Sequence, residues 1–126
     1  MLGAGGGIPI GRLIGERRRK LPGIRFYPIT FTPKSSKYAN EECGGVFMIV
    51  TDRAAIHPVR IGVEIAAMLH KLYGAKYELE AADKLFGSKE GLAQIRAGAD
   101  PLDIINTWAA GEAKWRLLRA KYLLYR

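Results

Sequence analysis

One cysteine, two histidines and no apolar run approaching the roughly 20 residues of a membrane-spanning helix set the first limits on this 126-residue chain. A lone Cys43 excludes an internal disulfide and carries no information about compartment. Structural metal sites need three or four clustered ligands, and Cys43, His57 and His70 are too scattered to supply them. No metal and no other cofactor is therefore expected. The same scarcity argues against a Cys–His nucleophile pair, since no spacing sets either histidine beside Cys43. There is no internal repeat, and low complexity is confined to the glycine-rich start. Residues 1–7 are small, expected to be flexible, and lack the apolar segment of a secretory signal. Gly3-Ala4-Gly5-Gly6-Gly7 superficially matches a dinucleotide fingerprint, but no strand precedes it and no βαβ unit follows.

What is present is ample apolar material and positive charge. Hydrophobic residues make up 48% and charged residues 25%, the balance of a globular domain with its own core. The formal net charge is +8. Part of it lies in Arg17-Arg18-Arg19-Lys20 and part in Lys114, Arg116, Arg119, Lys121 and Arg126. Such a surplus suits acidic partners, whether nucleic acid, an anionic lipid surface or an anionic cell-wall polymer. A basic nucleic-acid-binding or protein-interaction module is thus an alternative reading. Aromatic interleaving of the basic residues is limited to Arg25-Phe26-Tyr27, and no helix-turn-helix or ribonucleoprotein motif accompanies it.

The pattern predicts an α+β domain over residues 8–126. It comprises a small β-sheet packed with helices, closed by a long C-terminal amphipathic helix. Ile8 to Leu21 reads as a short helix stopped by Pro22-Gly23. Residues 24–32 are rich in aromatic and β-branched types and read as a strand, with Pro28 requiring an edge or a bulge. Residues 46–51 are apolar without alternation, the pattern of a strand covered on both faces. Pro58 opens a helix whose Ile61, Ile65, Met68, Leu69 and Leu72 share a core-facing side, with Gly74 placed to cap it. A short third strand is possible at 77–79. Two short helices, 81–86 and 89–97, are broken by Gly87-Ser88. Asp100-Pro101 starts the last helix, along which Ile104, Trp108, Trp115, Leu118 and Tyr122 recur at helical spacing. Both tryptophans are expected to anchor it.

The most informative segment is the link Phe31 to Val46. A hairpin needs two to five linking residues, and this one has about a dozen, of varied chemistry. Long links between core strands are where binding surfaces are built. Glu41 and Glu42 read as solvated loop residues and Asp52 as a turn residue, since no pattern assigns them as an acid–base pair.

The link also carries a resemblance. Phe31-Thr32-Pro33, Ser36-Lys37-Tyr38, Cys43-Gly44-Gly45-Val46 and Thr51-Asp52-Arg53 occur in an order that resembles the bacterial exo-β-N-acetylmuramidase family, long catalogued as domain of unknown function 1343. Pro22-Gly23-Ile24-Arg25-Phe26, Pro58-Val59-Arg60 with Gly62, Ile104-Ile105 with Trp108, and Tyr122-Leu123-Leu124-Tyr125 extend the match. Asp83-Lys84-Leu85-Phe86-Gly87-Ser88 is similar to a family segment F-D-K-L-x-G-[ST], with Ala82 in place of the first Phe. The resemblance covers roughly residues 8–126, and the ordered series is far more specific than any one motif.

The resemblance implies a C-terminal half whose N-terminal, Rossmann-like partner half is missing from this chain. The active cleft would lie between the halves, with the catalytic carboxylates on the absent one. No catalytic residue is therefore expected here, and the isolated chain is expected to be inactive. Lys37, Tyr38, Cys43, Gly44 and Gly45 are the expected substrate-binding positions, shaping a pocket for a muramic-acid-containing saccharide. Lys37 would pair with the lactyl carboxylate and Tyr38 would stack on a sugar face. The family acts outside the cytoplasm on peptidoglycan. An isolated half is also expected to self-associate, or to meet a partner chain carrying the Rossmann-like half, through faces left uncovered, the link and Ile8 and Ile10 among them.

Overall fold

The computed structural model describes residues 21–125. The helix expected at residues 8–21, apart from Leu21, and the basic run Arg17–Lys20 lie outside them. The chain divides into two compact units between His57 and Pro58.

The first unit is built on an antiparallel hairpin of β1 (Ile24–Phe31) and β2 (Cys43–Val50). The register runs unbroken from Ile24↔Val50 to Phe31↔Cys43, so Pro28 sits in the ladder opposite Val46 without a bulge. In a two-stranded sheet both strands are edges, which satisfies the requirement Pro28 imposes. The ladder continues past β1, where Gly23 O accepts Thr51 N–H at 2.9 Å. β2 begins three residues earlier than the apolar run suggested, so the link shortens to 32–42.

One expectation fails here. The uniform apolarity of 46–51 predicts burial on both faces, yet Phe47 is 55%, Met48 54% and Val50 49% exposed. These side chains alternate between the two faces of the ribbon, so among the described residues neither face is fully covered over β2's second half. Composition encodes the demand for cover; it does not encode where the cover comes from.

The second unit is helical. Its elements are α1 (Pro58–Tyr73), α2 (Asp83–Phe86), α3 (Lys89–Arg96) and α4 (Pro101–Ala120), with 3-10 turns at Gly74–Lys76 and Leu79–Ala82. The third strand expected at 77–79 is absent. Tyr77 N–H instead closes onto Gly74 O at 3.1 Å, and Leu79 starts the second 3-10 turn. Local turn bonding wins because, among the described residues, no further strand is present for this segment to pair with. Gly74 (φ +53°) follows α1 and Gly87 (φ +66°) caps α2, both in the left-handed region that L side chains resist. Ser88 caps α3 by accepting Gly91 N–H at 3.0 Å, and Asp100 caps α4 by accepting Leu102 N–H at 2.8 Å.

Val63 and Ala66 of α1, Leu79, Leu92 and Ile95 of α3, and Ile104 of α4 form the core. Phe86 and Trp108 pack against it edge to face, with ring centroids 5.9 Å apart. On α1, Ile61 and Met68 are buried as expected, while Ile65, Leu69 and Leu72 are half-buried. Trp108 is thus the anchor the spacing predicted. Trp115 is not: it is 57% exposed, and every residue from Ala109 to Ala120 is exposed. Helical periodicity defines which residues share a stripe, and among the described residues nothing covers the distal part of this one. No described helix is long and apolar enough to cross a membrane.

Candidate functional site

The link 32–42 leaves β1 at Phe31 and must return to pair Cys43 with it. Three backbone bonds fold it back on itself: Asn40 N–H to Pro33 O at 2.8 Å, Ala39 N–H to Ser36 O at 3.1 Å, and Glu41 N–H to Tyr38 O at 3.2 Å. Closure forces Ser36 (φ +78°) and Asn40 (φ +64°) into the left-handed region. Asparagine accepts that conformation readily; serine does so less often. Each such residue costs on the order of 1–3 kcal/mol, and residues of this kind gather at ligand sites.

The folded link encloses an open cleft of about 260 Å³ lined by Pro33, Ser35, Ser36, Lys37 and Tyr38. Lys37 Nζ stands 5.6 Å from the centroid of the Tyr38 ring, within cation–π range. Tyr38 is half-buried and Lys37 exposed. The cleft therefore offers one exposed cation, one aromatic ring and two serine hydroxyls. This set can bind an anionic, hydroxyl-rich ligand. None of the cleft's five lining residues carries a carboxylate.

Of the five expected binding positions, Lys37 and Tyr38 line this cleft together. Cys43, Gly44 and Gly45 stand apart from it as the first three residues of β2. Cys43 is fully buried, and its thiol donates to Glu41 O at 3.6 Å. A Cβ on Gly45 would lie 2.7 Å from Phe31 Cε1, so the absence of a side chain there serves cross-strand packing. A Cβ on Gly44 would meet nothing within 4 Å. Serines 35 and 36 were not singled out as cleft residues, and their signal is weak, because small polar residues fill most loops.

The other chemistry-bearing side chains have structural roles or none. Asp52 Oδ1 accepts from Ala54 N–H at 2.8 Å and Ala55 N–H at 3.3 Å, a turn that ends the hairpin. Glu41 and Glu42 are exposed. His57 is exposed and His70 half-buried, and no group of three potential metal ligands exists among the described residues. Glu80 pairs with Arg96. A backbone hydrogen bond and, second, the Arg96 guanidinium hold the Glu80 carboxyl below the usual carboxylate range. Burial pushes the Tyr77 phenol up.

Comparison with known proteins adds a family. The family model described as "Exo-beta-N-acetylmuramidase NamZ, C-terminal" matches residues 10–125. The peptidoglycan beta-N-acetylmuramidase NamZ of Bacillus subtilis (strain 168) is 33% identical over 108 residues, covering 83% of this chain and 26% of that protein. The crystal structure of a DUF1343 family protein from Bacteroides fragilis is similar in fold, with a TM-score of 0.60 at 20% identity. The likeness covers 94% of this chain and 32% of that one. The chain thus spans about a quarter of the length of the curated relative and about a third of the solved one.

Proposed function

The chain belongs to the family of NamZ C-terminal domains, and from that premise we propose that it is the substrate-cleft domain of a peptidoglycan-degrading exo-β-N-acetylmuramidase. The observation that carries this reading is the family match from residue 10 to 125, a span that includes the link and its cleft. It also runs through the His57–Pro58 junction, which supports treating the two units as parts of one α+β domain.

In this reading Lys37 and Tyr38 are the substrate contacts. N-acetylmuramic acid differs from the other sugar of peptidoglycan by a lactyl carboxylate. The Lys37 ammonium pairs with that carboxylate through a charge-assisted hydrogen bond, and the Tyr38 ring packs on the apolar face of the sugar. A cleft of about 260 Å³ falls just below the range of ordinary ligand pockets, which suits one terminal sugar rather than a chain segment. Gly45 and Cys43 act indirectly, by setting the strand to which the link returns. The two carboxyl groups that glycoside hydrolysis requires come from an N-terminal, Rossmann-like half of the full-length protein, working outside the cytoplasm.

Two measurements test this. The purified 126-residue chain, incubated with a chromogenic muramic acid glycoside, is expected to show no turnover above buffer. Clear turnover would overturn the division of labour and return Glu41, Glu42 and Asp52 to consideration. In the full-length polypeptide carrying these residues, Lys37→Ala is expected to raise KM about 10-fold or more with kcat nearly unchanged, since a hydrogen bond to a charged group contributes about 1.5–3 kcal/mol. An unchanged KM would remove Lys37 from the site. A gel shift with duplex DNA at low salt addresses the nucleic-acid alternative; a saturable complex that weakens steeply with added salt would favour it.

A further inference from the structure

The pairing geometry of the hairpin determines which backbone groups of β2 are free. In an antiparallel ladder, opposed residues alternate between pairs that exchange hydrogen bonds and pairs that point their N–H and C=O groups outward. Thr51 N–H donates to Gly23 O at 2.9 Å, so Gly23↔Thr51 is a bonded pair. Stepping by two along the register makes Arg25↔Ile49, Tyr27↔Phe47, Ile29↔Gly45 and Phe31↔Cys43 bonded as well. Pro28, which has no N–H, then falls in an outward pair with Val46, the only parity that lets it sit in an unbroken ladder.

The outward groups of β2 therefore belong to Gly44, Val46, Met48 and Val50, and those of β1 to Ile24, Phe26, Pro28 and Thr30. The two edges are not equivalent. β1 lacks a donor at its centre, the usual device against unwanted strand pairing. β2 carries no proline and no charge over its eight residues, and its outward donors are complete. Phe47, Met48, Ile49 and Val50 flank that edge at 40–55% exposure. A long, uncharged, apolar edge strand is an aggregation hazard unless something covers it.

We propose that the open edge of β2 accepts an extended segment from the part of the full-length protein that lies N-terminal to this domain, which adds a third strand and covers the apolar ribbon. The inference rests on the family reading in one respect: it takes its occupant from there. The matched family model is a C-terminal one, and most of the Bacillus subtilis relative lies outside the matched stretch. Main-chain hydrogen bonds give such strand addition its affinity, and alternate side chains give it register.

Amide hydrogen exchange tests this residue by residue. In the dilute 126-residue chain, the amides of Val46, Met48 and Val50 are expected to exchange at near-unprotected rates, while those of Phe47 and Ile49 are protected. In the full-length polypeptide, Val46, Met48 and Val50 are expected to slow by at least 10-fold. Met48→Pro removes an outward donor without breaking the hairpin; in the full-length polypeptide it is expected to return Val46 and Val50 to fast exchange while Phe47 and Ile49 remain protected. Slow outward amides in the dilute chain would overturn the proposal. So would protection that grows with the concentration of the isolated chain, which would make a second copy the occupant. A full-length polypeptide that hydrolyses muramic acid glycosides with these amides still fast would overturn the edge and leave the enzymatic reading standing. One that protects them but is inert would do the reverse.

Discussion

The same substitution, glycine to alanine, is expected to act with opposite signs at two helical positions of the second unit. Gly111 lies mid-way along α4, exposed, and a Cβ there would meet nothing within 4 Å. Alanine restores helix propensity at no steric cost, so Gly111→Ala should stabilise by about 0.5–1 kcal/mol. Gly91 is buried in the first turn of α3. A Cβ there would lie 2.7 Å from Phe86 Cε1, 3.1 Å from Trp108 Cζ2 and 3.2 Å from the Ser88 Oγ that caps the helix. Both rings are wedged edge to face against the core, so neither retreats without opening that contact. Overpacking of this kind costs about 1–3 kcal/mol, which exceeds the propensity gain, itself reduced at a first-turn position. Gly91→Ala should therefore destabilise by about 1–2 kcal/mol. Urea unfolding followed by tryptophan fluorescence is the assay, in a Trp115→Phe background so that Trp108 alone reports. Near-native shifts in the Trp108 emission of folded Gly91→Ala should accompany the loss, because its ring must move. Equal stabilisation by both substitutions would refute the reasoning, since it would mean that Phe86 and Trp108 do not wall in Gly91.

Cys43→Ser should cost about 1–3 kcal/mol by placing a hydroxyl in a fully buried site, and a thiol reagent should label native Cys43 far more slowly than the denatured chain; equal rates would show the thiol exposed. Ser88→Ala removes the α3 cap and should lower stability by about 0.5–2 kcal/mol in the same urea assay. The depressed carboxyl of Glu80 contributes stability that is present above the ordinary glutamate range and lost as pH falls through its folded-state value. The melting temperature should thus fall on acidification, and Glu80→Gln should flatten part of that slope; an unchanged slope would assign the acid sensitivity elsewhere.

Local signals in the sequence determined most of the elements. Pro22-Gly23 and the β-branched run fixed the start of β1, Asp100-Pro101 fixed the start of α4, and Gly87-Ser88 fixed the break between α2 and α3, because turn conformation and capping depend on residues a few positions apart. The link was legible as a long, chemically varied connection for the same reason, since its length and its Lys37-Tyr38 pair are local facts, and its ordered motifs carried the family. Three features were decided only by tertiary structure. Tyr77 to Leu79 has strand-like composition but no neighbour to pair with, so it closes into turns. The register sets Cys43 opposite Phe31 and turns the Phe31 ring over Gly45, a packing requirement that no local pattern announces. Phe47 to Val50 and the Trp115 stripe read as buried, yet they remain exposed. Apolar periodicity records that a surface is to be covered; which surface covers it depends on contacts far apart in the chain, or on residues outside it.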